Sequence, residues 1–201
     1  MVNMSNSEFK SELQKRIGES SNLRPFICDG YPLECEIFII GINPATSSDT
    51  NFFGYWNGNK FDKERWFAEY KNERKAKGKK EISLTRKKIE MLVNEVFSDF
   101  KCLETNAYSV ATPDVNSLNK NDKNTDVLSF LLDTIKPKAL FIHGRKPVKF
   151  IEKKLGIKFT SSEPVIYKNM VICATKHLNL IKEEKIKKVG EQLISEIKKL
   201  K

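Results

Sequence analysis

Four short apolar runs decide what this chain can fold into. Residues 36–41 (EIFIIG), 101–110 (KCLETNAYSV), 138–144 (KALFIHG) and 170–175 (MVICAT) are rich in β-branched residues and too short for buried helices, so each reads as a buried strand. Helical spacing fills the gaps between them. Residues 7–17 form a leading helix, 61–78 and 83–100 follow the first strand, 124–135 the second and 146–156 the third, and an amphipathic helix closes the chain from 183 onward. Ser83 is placed as an N-cap, Asn124 or Thr125 opens the next helix, Pro147 sits in a first turn and Gly156 supplies a stop. A short strand at 164–167 is expected to pair with 170–174 through a Lys168-Asn169 turn.

Strands that alternate with helices need crossover connections. The expected fold is therefore α/β, in three α/β/α layers around a mostly parallel, four-stranded central sheet. A length of 201 residues supplies one substantial core, and one domain over 1–201 is the expectation, with 61–82 as a helical insertion. Lys and Arg outnumber Asp and Glu by 36 to 26, a formal charge of +10 that favours polyanionic partners. The stretch 71–81 (KNERKAKGKKE) is the most basic and reads as a solvated face or as a contact to a phosphate backbone. Cys28, Cys35, Cys102 and Cys173 show no paired spacing and read as reduced core residues. Without a leader-like or membrane-length apolar segment, a cytoplasmic protein that avoids membranes is expected.

In open α/β sheets ligands bind beyond the carboxyl ends of the strands. The residues at those ends are Asn43-Pro44, Asn106, His143-Gly144 and His177, which include both histidines of the chain. Proline at 44 biases Asn43 toward an extended exit from its strand. Its amide then either satisfies local backbone in an Asx-type turn or faces the crevice, where it can hold a water or a polar edge. Residues 46–61 add Phe52, Phe53, Tyr55, Trp56 and Phe61 to a loop rich in Gly and Asn, a composition that anchors a loop to the core or offers a stacking surface to a flat base. Thr46, Ser47 and Ser48 can cap a helix or donate to a phosphate.

These motifs, in this order, resemble the uracil-DNA glycosylase superfamily. GINPA (41–45) is similar to the first motif of the mismatch-specific uracil/thymine branch, CLETNAY (102–108) to the strand ending in the base-reading asparagine, PKALFIHG (137–144) to the third strand, and CATKHLNL (173–180) to the final motif. The resemblance implies a glycosylase-like hydrolase that excises uracil or a related damaged base from DNA. Asn43 would position the hydrolytic water, Asn106 would read the base edge and His177 would donate to the departing base. Phe53, or else Phe52, would stack on the base; Thr46 and Ser47 would contact DNA, and Leu178 or Leu180 would wedge into the duplex. The resemblance calls for no metal or organic cofactor, and the expected partner of a monomeric protein is uracil-containing or mismatched DNA. Ala45 stands where the family carries glycine, and Pro-Ser does not follow His177. The missing Pro-Ser, with an asparagine at the water position where the most active branch has an aspartate, motivates a second expectation, a DNA-binding module of the same fold with weak or no catalysis. A doubly wound domain for a free nucleotide or other small ligand ranks third, because the glycine-rich phosphate fingerprints are missing.

Overall fold

A computed structural model describes residues 4–19, 21–45, 48–159 and 163–200. In chain order its elements are α1 (Asn6–Ile17), β1 (Phe26–Cys28), β2 (Ile37–Gly41), β3 (Trp56–Asn57), β4 (Lys60–Phe61), α2 (Lys63–Ala76), α3 (Leu84–Met91), β5 (Cys102–Asn106), α4 (Asp126–Ile135), β6 (Ala139–His143), α5 (Arg145–Leu155), β7 (Val165–Tyr167), β8 (Met170–Thr175) and α6 (Glu183–Lys199). The fold is α/β. Its main sheet runs β1-β5-β2-β6-β8-β7 and has six strands rather than four. The four anticipated strands form the parallel centre, while β1 and β7 are added antiparallel at the edges. β7 is the expected hairpin partner of β8, turning at Lys168 with φ 54°. β1 is three residues long, too short to leave a periodic signal in the sequence.

Side chains alternate across the sheet with the two-residue period of a strand. Phe38, Ile40, Leu103, Leu140 and Ile142 join a core with Phe9 and Leu13 of α1, Leu128 and Leu131 of α4, and Ile151 of α5. Ile37, Ile39, Phe141, Val171 and Cys173 face the other way, onto Ile89 of α3 and Ile186, Val189, Leu193 and Ile197 of α6. Every residue of β2 and β6 is buried. Continuous apolar strands of this kind follow from helices on both faces. All four cysteines are free and buried.

Helix ends follow local chemistry. Ser83 accepts from the Arg86 amide at 3.1 Å to open α3, and Gly156 closes α5 in the left-handed region at φ 69°. Asn124, rather than the hydroxyl of Thr125, bonds the first amide of α4 at 2.7 Å. The helix expected over 83–100 is shorter, because α3 widens into a π turn at Leu92–Val96 and stops. α6 lies directly against that turn at Gly190, where an added Cβ would come within 2.8 Å of Val96. Among the described residues, no helix is long and apolar enough to cross a membrane.

Candidate functional site

The register places four residues in one row at the carboxyl end of the parallel strands. Asn106 of β5 pairs with Gly41 of β2, the β2–β6 register continues from Gly41 to His143, and His143 pairs with Thr175 of β8. All four face the α3/α6 side. The glycine is required by what closes over it: an added Cβ would stand 2.7 Å from Asn106 Oδ1 and 3.2 Å from Cε1 and Nε2 of His143. Above this row lies a cavity of about 430 Å³, within the roughly 300–1,000 Å³ typical of small-molecule sites. Asn43, Asn106, His143 and His177 all line it.

Asn43 is held by the chain leaving β5. Residues 107–112 run beside 41–44, with backbone bonds from Ala107 to Gly41, Tyr108 to Ile42 and Thr112 to Pro44, each 2.9 Å. The Asn43 amide nitrogen donates to the carbonyl and hydroxyl oxygens of Thr112, both at 3.0 Å, and to the Pro44 carbonyl at 3.1 Å. The amide nitrogen is thus tied chiefly to Thr112, 69 residues away, rather than closing an Asx-type turn, and the residue borders the cavity.

His177 opens the 3₁₀ turn Leu178–Leu180, and its Nδ1 accepts from the Asn179 amide at 3.3 Å. That bond leaves the proton of the neutral ring on Nε2. Burial, then the nearby Lys88 ammonium, lowers the His177 pKa, so the ring is neutral at pH 7. The turn is fastened to α3: buried Lys88 donates to the carbonyls of Leu178 and Ile181 at 2.9 and 2.6 Å, and Thr85 bonds Asn179 at 2.6 Å. Leu178 is wholly buried, whereas Leu180 is 76% exposed. Of the two candidate wedges, only Leu180 is free to enter anything.

His143 packs edge-on against His177, with ring centroids 5.3 Å apart. Burial, the neighbouring His177 and Arg86 hold its pKa down to about 3. Its Nδ1 is buried with no hydrogen-bond partner among the described residues.

The wall opposite the sheet edge comes from α2 and α3. Trp66 and Tyr70 stack with centroids 5.3 Å apart, and the Arg86 guanidinium lies over them at 4.8 and 5.8 Å. Arg86 bonds Glu104 directly and Glu90 at 3.1 Å, while Lys63 reaches Glu90 at 3.1 Å and Glu104 at 3.5 Å. Burial alone would lower the pKa values of both cations, yet the two carboxylates raise them. α2 lies within the stretch 61–82, and its Trp66, Tyr70, Glu73 and Arg74 line the cavity.

The aromatic loop is arranged differently from the expectation. Phe52 is buried against Phe26, Trp56 and Phe61, and Phe53 packs on Phe52 and Trp56; neither ring lines the cavity. The rings collapse together because β3 and β4 form a hairpin that brings Trp56 opposite Phe61. Phe26, Tyr55, Trp66 and Tyr70 are the phenyl, phenol and indole rings at the cavity. Thr46 and Ser47 lie outside the described residues. Ser48 is engaged with Glu69 at 2.6 Å and Tyr55 at 2.9 Å.

Several cavity residues lay outside the expected set: His143, Arg86, Glu104 and the aromatic pair of α2. A carboxylate in the middle of a strand read as buried was the legible signal for Glu104, since such a group needs a buried cation. A comparison with family models finds no match for this chain, and neither does a comparison with curated proteins.

Proposed function

We propose that this protein is a DNA glycosylase of the uracil-excising kind, which hydrolyses the N-glycosidic bond of a base turned out of the DNA stack. One observation carries the reading. Asn43, Asn106 and His177 stand at or just beyond the ends of three separate strands, far apart in sequence, and line a single cavity. An extruded base would enter it with its edge on Asn106 and its face toward the rings of Tyr55, Trp66 or Tyr70, which take the part expected of Phe53. With the Asn43 amide protons turned onto Thr112 and Pro44, its Oδ1 is the atom left to orient a water toward the sugar carbon. That water adds to the carbon as the C–N bond breaks and the electron pair departs with the base, and the proton the added water sheds passes through solvent to the released base. The Nε2 proton of His177 then meets an oxygen on which negative charge is growing, a contact that strengthens toward the transition state. Exposed Leu180, beside His177, is the group that would fill the gap left by the base. The net charge of +10 and the basic end of α2, beside cavity residues Glu73 and Arg74, suit a phosphate backbone.

The test is to incubate the protein with single- and double-stranded oligonucleotides that carry uracil, hypoxanthine or mismatched thymine, and to cleave abasic sites with alkali. Strand breaks at one or more of these bases are expected; intact strands throughout would remove the proposal. A second reading, a DNA-binding module without efficient chemistry, is favoured by the same three bonds of Asn43, which commit its amide nitrogen to the fold. It predicts DNA binding that weakens steeply with salt and yields no abasic product.

A further inference from the structure

The proposed chemistry leaves His143 without a task, although it lines the cavity and is only 4% exposed. We propose that His143 is a specificity-determining residue, which donates from Nε2 to a carbonyl oxygen of the bound base, beside Asn106, and so selects oxo-bases over amino-bases. This rests on the reading of the cavity as a base pocket.

Geometry carries it. Asn106 Oδ1 and His143 Nε2 both pack over Gly41, 2.7 and 3.2 Å from where a Cβ on that residue would stand, and both residues line the cavity. Two polar groups from the strands on either side of β2 thus border the same small space. The His177 ring, 5.3 Å away and roughly perpendicular, borders His143 on the β8 side, so the imidazole is fixed between two strand-end groups. The proton is assigned by what surrounds the other nitrogen. Nδ1 is sealed from solvent without a partner among the described residues, and a buried N–H with no acceptor is rarer than a buried lone pair with no donor. Nε2 therefore carries the hydrogen. Since burial keeps the ring neutral, that hydrogen is present across the working pH range. A fixed donor accepts a carbonyl and rejects an exocyclic amine, which would set hydrogen against hydrogen. Asn106 has both a donor and an acceptor and can turn to suit either edge, so His143 is the group that discriminates. Uracil, thymine and hypoxanthine present the required oxygen; cytosine and adenine present an amine at the corresponding position.

The chain has only two histidines, which makes the test direct. Protein carrying ¹⁵N in its histidine rings is titrated with free uracil and with free cytosine, and His143→Gln assigns the signals. In parallel, His143→Phe and His143→Gln are compared with the parent protein in uracil excision. Uracil should shift the Nε2 resonance of His143 saturably and cytosine should not. His143→Phe should slow uracil excision at least tenfold, and His143→Gln, which keeps a donor, should recover most of the loss. The proposal is overturned if uracil moves only the His177 signals or neither, if cytosine moves His143 as uracil does, or if His143→Phe excises uracil at the parent rate. Should the parent protein form no abasic product while uracil still shifts His143, the glycosylase reading falls and the assignment of His143 stands.

Discussion

Two neighbouring rows on one face of the sheet put polar groups to opposite uses. At the carboxyl edge stand Asn106, Gly41, His143 and Thr175; one pleat further in stand Glu104, Ile39, Phe141 and Cys173. The inner row contains one charge, and every means of compensating it is present: Arg86 and Lys63 approach Glu104, and Trp66 and Tyr70 cover the guanidinium. In the outer row His143 is equally buried and, among the described residues, no carboxylate holds a charge on it and its Nδ1 has no partner, so burial keeps it uncharged. A polar residue that serves the fold is surrounded by partners. One that awaits a ligand is buried incompletely satisfied, and the stability of the rest of the domain offsets that cost.

This contrast can be broken by experiment, and the inner row should respond most strongly. Arg86→Ala leaves Glu104 and Glu90 with Lys63 as their remaining cation and uncovers the aromatic pair. A loss of about 3–5 kcal/mol is expected for a buried pair stripped of one partner, read from the urea midpoint at unchanged slope. A loss below about 1 kcal/mol would mean that Glu104 does not depend on Arg86.

The outer row should answer to pH instead. The folded pKa of His143, about 3, lies below the ordinary histidine value of 6.5, so its contribution is whole above pH 6.5 and is lost as pH falls from there toward 3. Between pH 8 and pH 5 this amounts to about 2 kcal/mol, at 1.36 kcal/mol per unit below 6.5. His143→Gln should therefore lose about 2 kcal/mol less stability than the parent over that interval. Equal losses in the two proteins would show that His143 is not buried in neutral form.

The smallest effect is expected outside both rows. Leu180→Ala should change stability by no more than about 0.5 kcal/mol, because the side chain is mostly in water, while it weakens any step in which the protein holds an extruded base. A large loss of stability would place Leu180 in the core.

How far the sequence reached depended on whether a residue's surroundings were local. The parallel strands and the helices that alternate with them were legible because burial on both faces leaves unbroken apolar runs. The caps at Ser83 and Gly156 were legible because capping acts within three or four residues. β1 left no periodic trace in three residues. Asn43, Asn106 and His177 could be nominated from their positions at strand ends, but the ring facing them could not. Phe52 and Phe53 are as aromatic as Trp66 and Tyr70, and only the hairpin at 56–61 and the docking of α2 decide which pair turns inward and which reaches the cavity. His143 was visible at the end of its strand, yet its lack of a partner is a property of three-dimensional packing.

The central claim is that Asn43 and His177 act together on one bound base, and single-turnover excision of uracil from a short oligonucleotide tests it most directly. The parent protein should generate alkali-labile sites, and Asn43→Ala and His177→Ala should each slow their formation by about 100-fold or more while remaining folded, as expected for a positioned water and a donor to developing charge. Excision that proceeds at the parent rate in both variants, or that never occurs in the parent, would contradict it.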